Sequence, residues 1–248
     1  MLDIYYFPTP NGRKIAILLE ELGVPYTIKM VHIGQGEQLH PDFLRISPNN
    51  RMPALVDHAP KGGGKPVSVF ESGAMMMYLA EKEGRFWPQE VHKKYDVAQW
   101  VLWQMGNQGP KMGEHGHFHR ADAEKKHGDL GYPLKRFDNE VHRLYGVLNI
   151  GLFEKDWLAA GEYTIADMIC YPWAALHKDR GIDIAEFANV QRWLEKLGER
   201  PAMKKALEIG KDVYQGQEKL TPEEREKYAK ILANQRAVPI PEEWRKKG

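Results

Sequence analysis

Thr9-Pro10-Asn11-Gly12 places a hydroxyl and a carboxamide two positions apart, between a short apolar run and an amphipathic stretch. The run, Ile4-Tyr5-Tyr6-Phe7, is aromatic and β-branched and ends at a Pro/Asn/Gly cluster, the pattern of a strand. The stretch after Gly12 carries Ile15, Leu18 and Leu19 at helical spacing. A strand that feeds a helix through small polar residues leaves backbone N–H groups unpaired at the junction, and such a helix start favours an anion. Phosphate, carboxylate and thiolate all satisfy that description. A phosphate cradle of the Gly-rich, Lys-Ser/Thr type is absent from the turn.

Other reactive residues are few. Cys170 is the only cysteine, so neither an internal disulfide framework nor a Cys-x-x-Cys site exists. It lies in an apolar helix, where burial makes a thiol inert. Thiol chemistry would then need a thiol carried in by a ligand. His115, His117 and His119 alternate at i, i+2, which does not put neighbours on one helix face, and no Cys or carboxylate cluster accompanies them in the sequence. The expectation is a solvated, partly helical stretch from 109 to 131 with no metal.

The elements that must position Thr9 and Asn11 are legible in order. A second strand follows at 24–31, making a βαβ unit with a right-handed crossover. A Gly/Gln loop from Gly34 to His40 leads to a helical turn at 41–46, stopped by Ser47-Pro48-Asn49-Asn50. A third strand is expected at 52–57, with Pro53 at its start, a position that suits a cis bond. A fourth follows at 66–70. Glu71-Ser72 then opens a helix through 82, with Ser72 as N-cap and Glu71 favoured by the helix dipole. The methionines at 75–77 fall on different faces and read as core filling. The order β-α-β-α-β-β-α matches a thioredoxin-like fold.

Beyond Trp87-Pro88 the pattern is helical: 95–108, 132–153, 189–199 and 201–210. At Thr164, an N-cap with Asp167 at N3 forms a capping-box variant, and Tyr163 and Met168 stand where a hydrophobic staple forms. The helix behind it is apolar nearly all round and belongs at the centre of its domain, with Pro172 kinking it or near its start. The charged stretch after 210 is expected to hold a helix near 222–235 and to pack outside or stay mobile. The expected division is therefore 1–86, a linker at 87–92, an all-helical domain at 93–212 and an extension at 213–248.

Composition sets limits. The chain is 42% hydrophobic and 28% charged with a net charge of +1, which gives no electrostatic case for nucleic acid or a membrane surface. No signal peptide and no membrane-spanning run is visible, and a cytoplasmic enzyme is the expectation.

A thioredoxin-like half followed by an all-α half with a buried capping box resembles the glutathione transferase superfamily. More narrowly, Pro8-Thr9-Pro10-Asn11-Gly12, Phe43-Leu44-Arg45-Ile46-Ser47-Pro48-Asn49-Asn50, Met52-Pro53-Ala54 and Phe70-Glu71-Ser72-Gly73-Ala74 together resemble the bacterial nu class, close to the fungal nitrogen-regulator-like branch. The resemblance implies a glutathione-dependent disulfide-bond reductase with weak transferase or peroxidase activity. Reduced or oxidised glutathione would be the co-substrate, with no metal. It further implies that Thr9 and Asn11 hold the glutathione sulfur as catalytic residues and that Met52, before Pro53, pairs its backbone with the cysteinyl part. Glu71 and Ser72 would hold the γ-glutamyl end. Gln38 would contact glutathione, and Arg136 would reach a second glutathione or the glycyl carboxylate. A homodimer through the helical domain, at 95–108 and 132–153, and a small-molecule disulfide substrate complete the implication. The rival readings are a conjugating transferase, in which Tyr5 or Tyr6 would serve the thiol, and a non-enzymatic glutathione-binding regulator. Both tyrosines are read as strand residues.

Overall fold

The computed structural model describes residues 1–125, 127–213, 220–233 and 237–245. Four strands, β1 (Leu2–Tyr6), β2 (Tyr26–Met30), β3 (Ala54–Asp57) and β4 (Val67–Phe70), form one sheet in the order β2-β1-β3-β4. β1 pairs parallel with β2, Ile4 opposite Ile28, and antiparallel with β3, Ile4 opposite Leu55. β3 and β4 are antiparallel. Helix α1 (Pro10–Leu22) is the crossover between β1 and β2, α2 (Pro41–Ile46) precedes β3, and α3 (Ser72–Glu83) follows β4. This is the thioredoxin-like arrangement expected from the element order. The Met52–Pro53 peptide is cis, as the proline at the strand start suggested.

The remaining elements are helical. α4 (Val91–Trp103) passes through one π-helical turn, Gln104–Gln108, into α5 (Gly109–Glu124), so the two run on without a loop. The sequence pattern suggests only a partly helical stretch after Gln108. The π turn absorbs the register change and interrupts the regular ladder just before Pro110, which has no N–H to contribute to it. α6 (Gly131–Gly151), α7 (Ile165–Ala174), α8 (Ala188–Gly198) and α9 (Pro201–Glu208) follow. Pro172 lies near the C-terminal end of α7, not at its start.

One apolar cluster joins the two halves: Ile15, Leu18 and Leu19 of α1, Met75, Met76 and Leu79 of α3, Val97 and Val101 of α4, and nearly all of α7 are buried together. Met75 and Met76 sit in this core, as their spacing suggested. Two ion pairs fasten α1 to the end of the chain's helical part, Arg200 Nε to Glu21 at 2.6 Å and Lys205 Nζ to Glu20 at 2.6 Å.

The extension does not stand apart. α10 (Pro222–Ala233) lies on the 3-10 turn Ile33–Gln35, where the Tyr228 ring packs so closely on Gly34 that a Cβ there would sit 2.5 Å from it. After α10 comes α11 (Glu242–Arg245), whose Trp244 ring lies under the Arg45 guanidinium at 4.5 Å. The helix expected to reach 235 is seen as far as Ala233; 234–236 lie outside the described residues.

Candidate functional site

The sheet and α1 bring the Thr9 turn to the upper end of β1. Thr9 is the N-cap of α1 in extended conformation, Pro10 fills N1 and Gly12 stands at N3. The Thr9 hydroxyl oxygen accepts from the Gly12 N–H at a long 3.4 Å, and its own proton points at Met52 Sδ, 3.9 Å away. No acidic residue occupies the first turn of α1, so its positive end stays uncompensated. Gly12 is required here: a Cβ would lie 2.1 Å from the Phe7 carbonyl and 3.0 Å from the Tyr6 ring. The helix therefore begins hard against the strand, and of its first amides those of Gly12 and Arg13 bond back to Thr9 while Pro10 has none, leaving that of Asn11.

Asn11 is oriented from the other half of the molecule. The indole Nε1 of Trp173, on α7, donates to Asn11 Oδ1 at 3.0 Å. With the carbonyl oxygen engaged, the amide NH₂ is left to donate elsewhere. In the sequence Trp173 reads as one apolar residue among many. The signal that could have found it is the indole N–H, which needs an acceptor when buried. Gly109 and Gly113 of α5 lie alongside that ring, at distances where a methyl group would make ordinary contact, 3.6 and 3.8 Å from the nearest Trp173 atom.

Beneath the turn lies a second group that the sequence does not reveal. Lys14 is 1% exposed, and its Nζ donates to Ser72 Oγ at 3.1 Å and to Gln104 Oε1 at 2.5 Å. Gln104 is turned inward by the π segment and is fully buried. Burial lowers the Lys14 pKa to about 7, an effect partly opposed by Cys170 and by the charge of Glu71. A lysine on an otherwise apolar helix face is easily read as snorkelling to solvent, and this one does the opposite.

Ser72 was expected to cap α3. Instead Glu71 is the N-cap residue, at φ 68°, and Ser72 is the first helical residue. The hydroxyl of Ser72 is committed to the interior, donating to Met105 Sδ at 3.2 Å while accepting from Lys14. A non-glycine residue in the left-handed region costs on the order of 1–3 kcal/mol and is kept where the surroundings enforce it. Asn49 Nδ2 holds the Glu71 carboxylate at 2.9 Å.

The other expected residues fall at varied places. Pro53 is buried beside Met52 at the entrance to β3. Gln38 Nε2 donates to the Ile33 carbonyl at 3.2 Å, and its Oε1 is buried with no partner. Arg136 is exposed on α6, where its charge acts on Glu140; no hydrogen bond or ion pair among the described residues ties it to the Thr9 turn. Tyr6 is fully buried, its hydroxyl bonded to the Ile209 carbonyl at 3.1 Å, and burial pushes its pKa to about 12. Tyr5 packs its ring on Phe43 at 5.8 Å. Cys170 is wholly buried and burial pushes its thiol pKa well up. The capping box of α7 forms as the sequence indicated, while Tyr163 packs against Phe86 and Trp157.

Comparison with known proteins agrees with this architecture. The family model described as glutathione S-transferase, N-terminal domain, matches residues 2–81, and the C-terminal domain model matches 116–201. The chain belongs to the glutathione S-transferase family. It is 44% identical over 207 residues to the disulfide-bond oxidoreductase YfcG of Escherichia coli, covering 84% of this chain and 94% of that one. A glutathione transferase of Pseudomonas putida, solved with one glutathione disulfide bound per subunit, superposes with a TM-score of 0.76 at 40% identity, over 84% of this chain and 91% of that one. A family member from Pseudomonas fluorescens, solved with two glutathione bound, gives 0.77 at 39% identity, over 84% and 92%. No helix among the described residues is long and apolar enough to cross a membrane.

Proposed function

We propose that this protein is a glutathione-dependent disulfide-bond reductase whose nucleophile is the thiolate of bound glutathione. The observation that carries the reading is the open start of α1. Thr9 and the free amide edge of Asn11 face the uncompensated end of a helix, and the protein's own thiol is sealed in the core. A helix N-terminus with two donors lowers a thiol pKa and holds the thiolate. The name of the Escherichia coli relative and the glutathione disulfide in the Pseudomonas putida structure support the same chemistry.

In this reading the bound thiolate attacks one sulfur of the substrate disulfide, forming a mixed disulfide and expelling the other sulfur as a thiolate, which takes a proton from water. A second glutathione thiolate attacks the glutathione sulfur of the mixed disulfide. Glutathione disulfide and a second substrate thiol leave. Two glutathiones are oxidised and one substrate disulfide is reduced.

Met52 offers its backbone to the cysteinyl part as one further extended strand. Glu71 and Ser72 hold the γ-glutamyl end, with Lys14 behind Ser72 contributing positive charge toward its carboxylate. Gln38 contacts the tripeptide, and Arg136 serves a second glutathione or the glycyl carboxylate. The division into 1–86, 87–92, 93–212 and 213–248, a cytoplasmic setting and a homodimer belong to the same proposal. Tyr95 and Leu102 of α4 and Tyr132 of α6 are strongly exposed, apolar surface of the kind an interface covers, which supports pairing through these helices.

The test is reduction of hydroxyethyl disulfide by glutathione, coupled through glutathione reductase to NADPH loss, on wild type, Thr9→Ala and Asn11→Ala. Expected is rapid wild-type turnover that falls on the order of tenfold or more in each variant, as loss of a thiolate donor requires. Undiminished turnover in both variants would remove the turn from the mechanism. No wild-type turnover, with glutathione still bound, would remove the reductase reading.

A further inference from the structure

A cluster of ligating atoms lies away from the Thr9 turn. His115 and His119 are four residues apart on α5 and so share one face, and Asp138 reaches them from α6. The two Nε2 atoms lie 3.0 and 2.7 Å from the same carboxylate oxygen, Asp138 Oδ1. All three ligand atoms fall within 4.8 Å of one another. Reading the histidines as neighbours at i, i+2 conceals this pair, and the carboxylate comes from a different helix, where no local spacing could announce it.

His115 is 2% exposed, and neither of its ring nitrogens makes a hydrogen bond of adequate geometry. A buried imidazole whose only polar contact is a poorly aligned 3.0 Å approach to Asp138 is undersatisfied, so a group that engages Nε2 would be favoured. His119 and Asp138 are each about half exposed, which gives an ion a path in from solvent.

We propose that His115, His119 and Asp138 bind one divalent transition-metal ion of the zinc class, bridging α5 to α6. Two imidazoles and one carboxylate suit zinc, whose bonds of about 2.0–2.1 Å place neighbouring ligands roughly 3.3 Å apart in a tetrahedron. The His115 and His119 nitrogens, 3.0 and 2.7 Å from Asp138 Oδ1, lie somewhat closer than that, and the half-exposed His119 and Asp138 can move apart to admit the ion. Imidazole donors disfavour magnesium and calcium, which take oxygen. The remaining coordination position faces solvent and belongs to water.

The charges around the cluster set its strength. The Arg180 guanidinium packs directly over Gly116, and Arg120 stands near Arg180. Burial first, then His119 and Arg180, lower the proton affinity of His115, while Asp138 opposes them. The neutral imidazole that ligates is thereby favoured. The same arginine repels a cation, so micromolar affinity is expected, not nanomolar.

The experiment is calorimetric titration of the full chain with zinc, in the absence of glutathione, which would chelate it. Wild type, His119→Gln and Asp138→Asn are compared, with His92→Gln, at an exposed position on α4, as control. Expected is one saturable micromolar site per chain in wild type and control, weakened by roughly tenfold or more in the other two. His119→Cys restores binding if ligation is the cause, because a thiolate replaces the imidazole. Cobalt in place of zinc adds a visible absorption band that only ordered ligation produces. Equal binding by wild type, His119→Gln and Asp138→Asn would overturn the proposal. So would absence of a saturable site in wild type, leaving His119 hydrogen-bonded to Asp138 with His115 beside them.

Discussion

The helices α1 and α7 both start at a threonine, and they are finished in opposite ways. At α7 the Thr164 hydroxyl accepts from the Ala166 N–H at 3.2 Å, and the N3 residue, Asp167, reaches back to the Thr164 N–H at 3.1 Å. Asp167 also accepts from the Leu158 N–H at 3.0 Å and from the Trp193 indole at 2.9 Å. Both capping residues are completely buried. At α1 the corresponding N3 position is Gly12, the Thr9 hydroxyl makes only a long bond, and no carboxylate closes the end. The α7 start spends its donors on the protein itself and becomes a structural anchor. The α1 start keeps them for something else. One residue type at N3 separates a stabilising device from a binding one.

The contrast is sharpest where it is removed. Asp167→Ala would leave three buried donors without an acceptor, each costing about 1–3 kcal/mol. Loss of several kcal/mol, enough to unfold much of the protein at moderate temperature, is the expected result of denaturant titration. A change below about 1 kcal/mol would mean that the closed start is not an anchor.

Lys14 tests the open start. Its pKa falls from 10.5 in the unfolded chain to about 7 in the folded one. Between those values the unfolded state holds more protons, so stability rises with pH, by at most about 1.4 kcal/mol per unit. Below pH 7 the contribution is flat and at its least favourable. Thermal unfolding of wild type should therefore climb from about pH 7 upward relative to Lys14→Met, and parallel curves would show that the amine is not buried as described. Gly12→Ala is expected to cost about 1–3 kcal/mol by overpacking against Phe7 and Tyr6, and to weaken glutathione binding in calorimetry by displacing the first turn of α1. A variant that binds normally would show that the open start tolerates a methyl group at N3. The smallest change in stability is that of Thr9→Ala, about 1 kcal/mol or less since its capping bond is long, though its activity falls as described above.

How much of this is readable beforehand depends on whether the information is local. The strand, turn and helix around Thr9, the proline at the start of β3 and the α7 capping box each announce themselves within a few residues, and each is found where its pattern lies. Ser72 misleads because its sequence context suits a cap, while its hydroxyl is claimed from inside by Lys14 and Met105. Trp173 on Asn11 and Gln104 on Lys14 join residues 162 and 90 positions apart. Neither is visible in spacing, because the π turn that swings Gln104 inward is itself a departure from the period used to read helices. The family resemblance proposes Gln38, Glu71 and Arg136 as glutathione contacts, where local pattern names none of them.

Tyr6 closes the last residue of β1 onto the Ile209 carbonyl, across a separation of 203 residues. The far end of the same helix α1, at Glu21 and Glu20, is clasped by Arg200 and Lys205. During synthesis the acceptor for Tyr6 emerges 203 residues after Tyr6 itself, and the cover for α1 at Arg200 and Lys205 comes as late. The Thr9 turn is thus made long before its surroundings are finished. A nascent chain halted before α9 would carry every proposed glutathione ligand without the clasp that holds their helix in place.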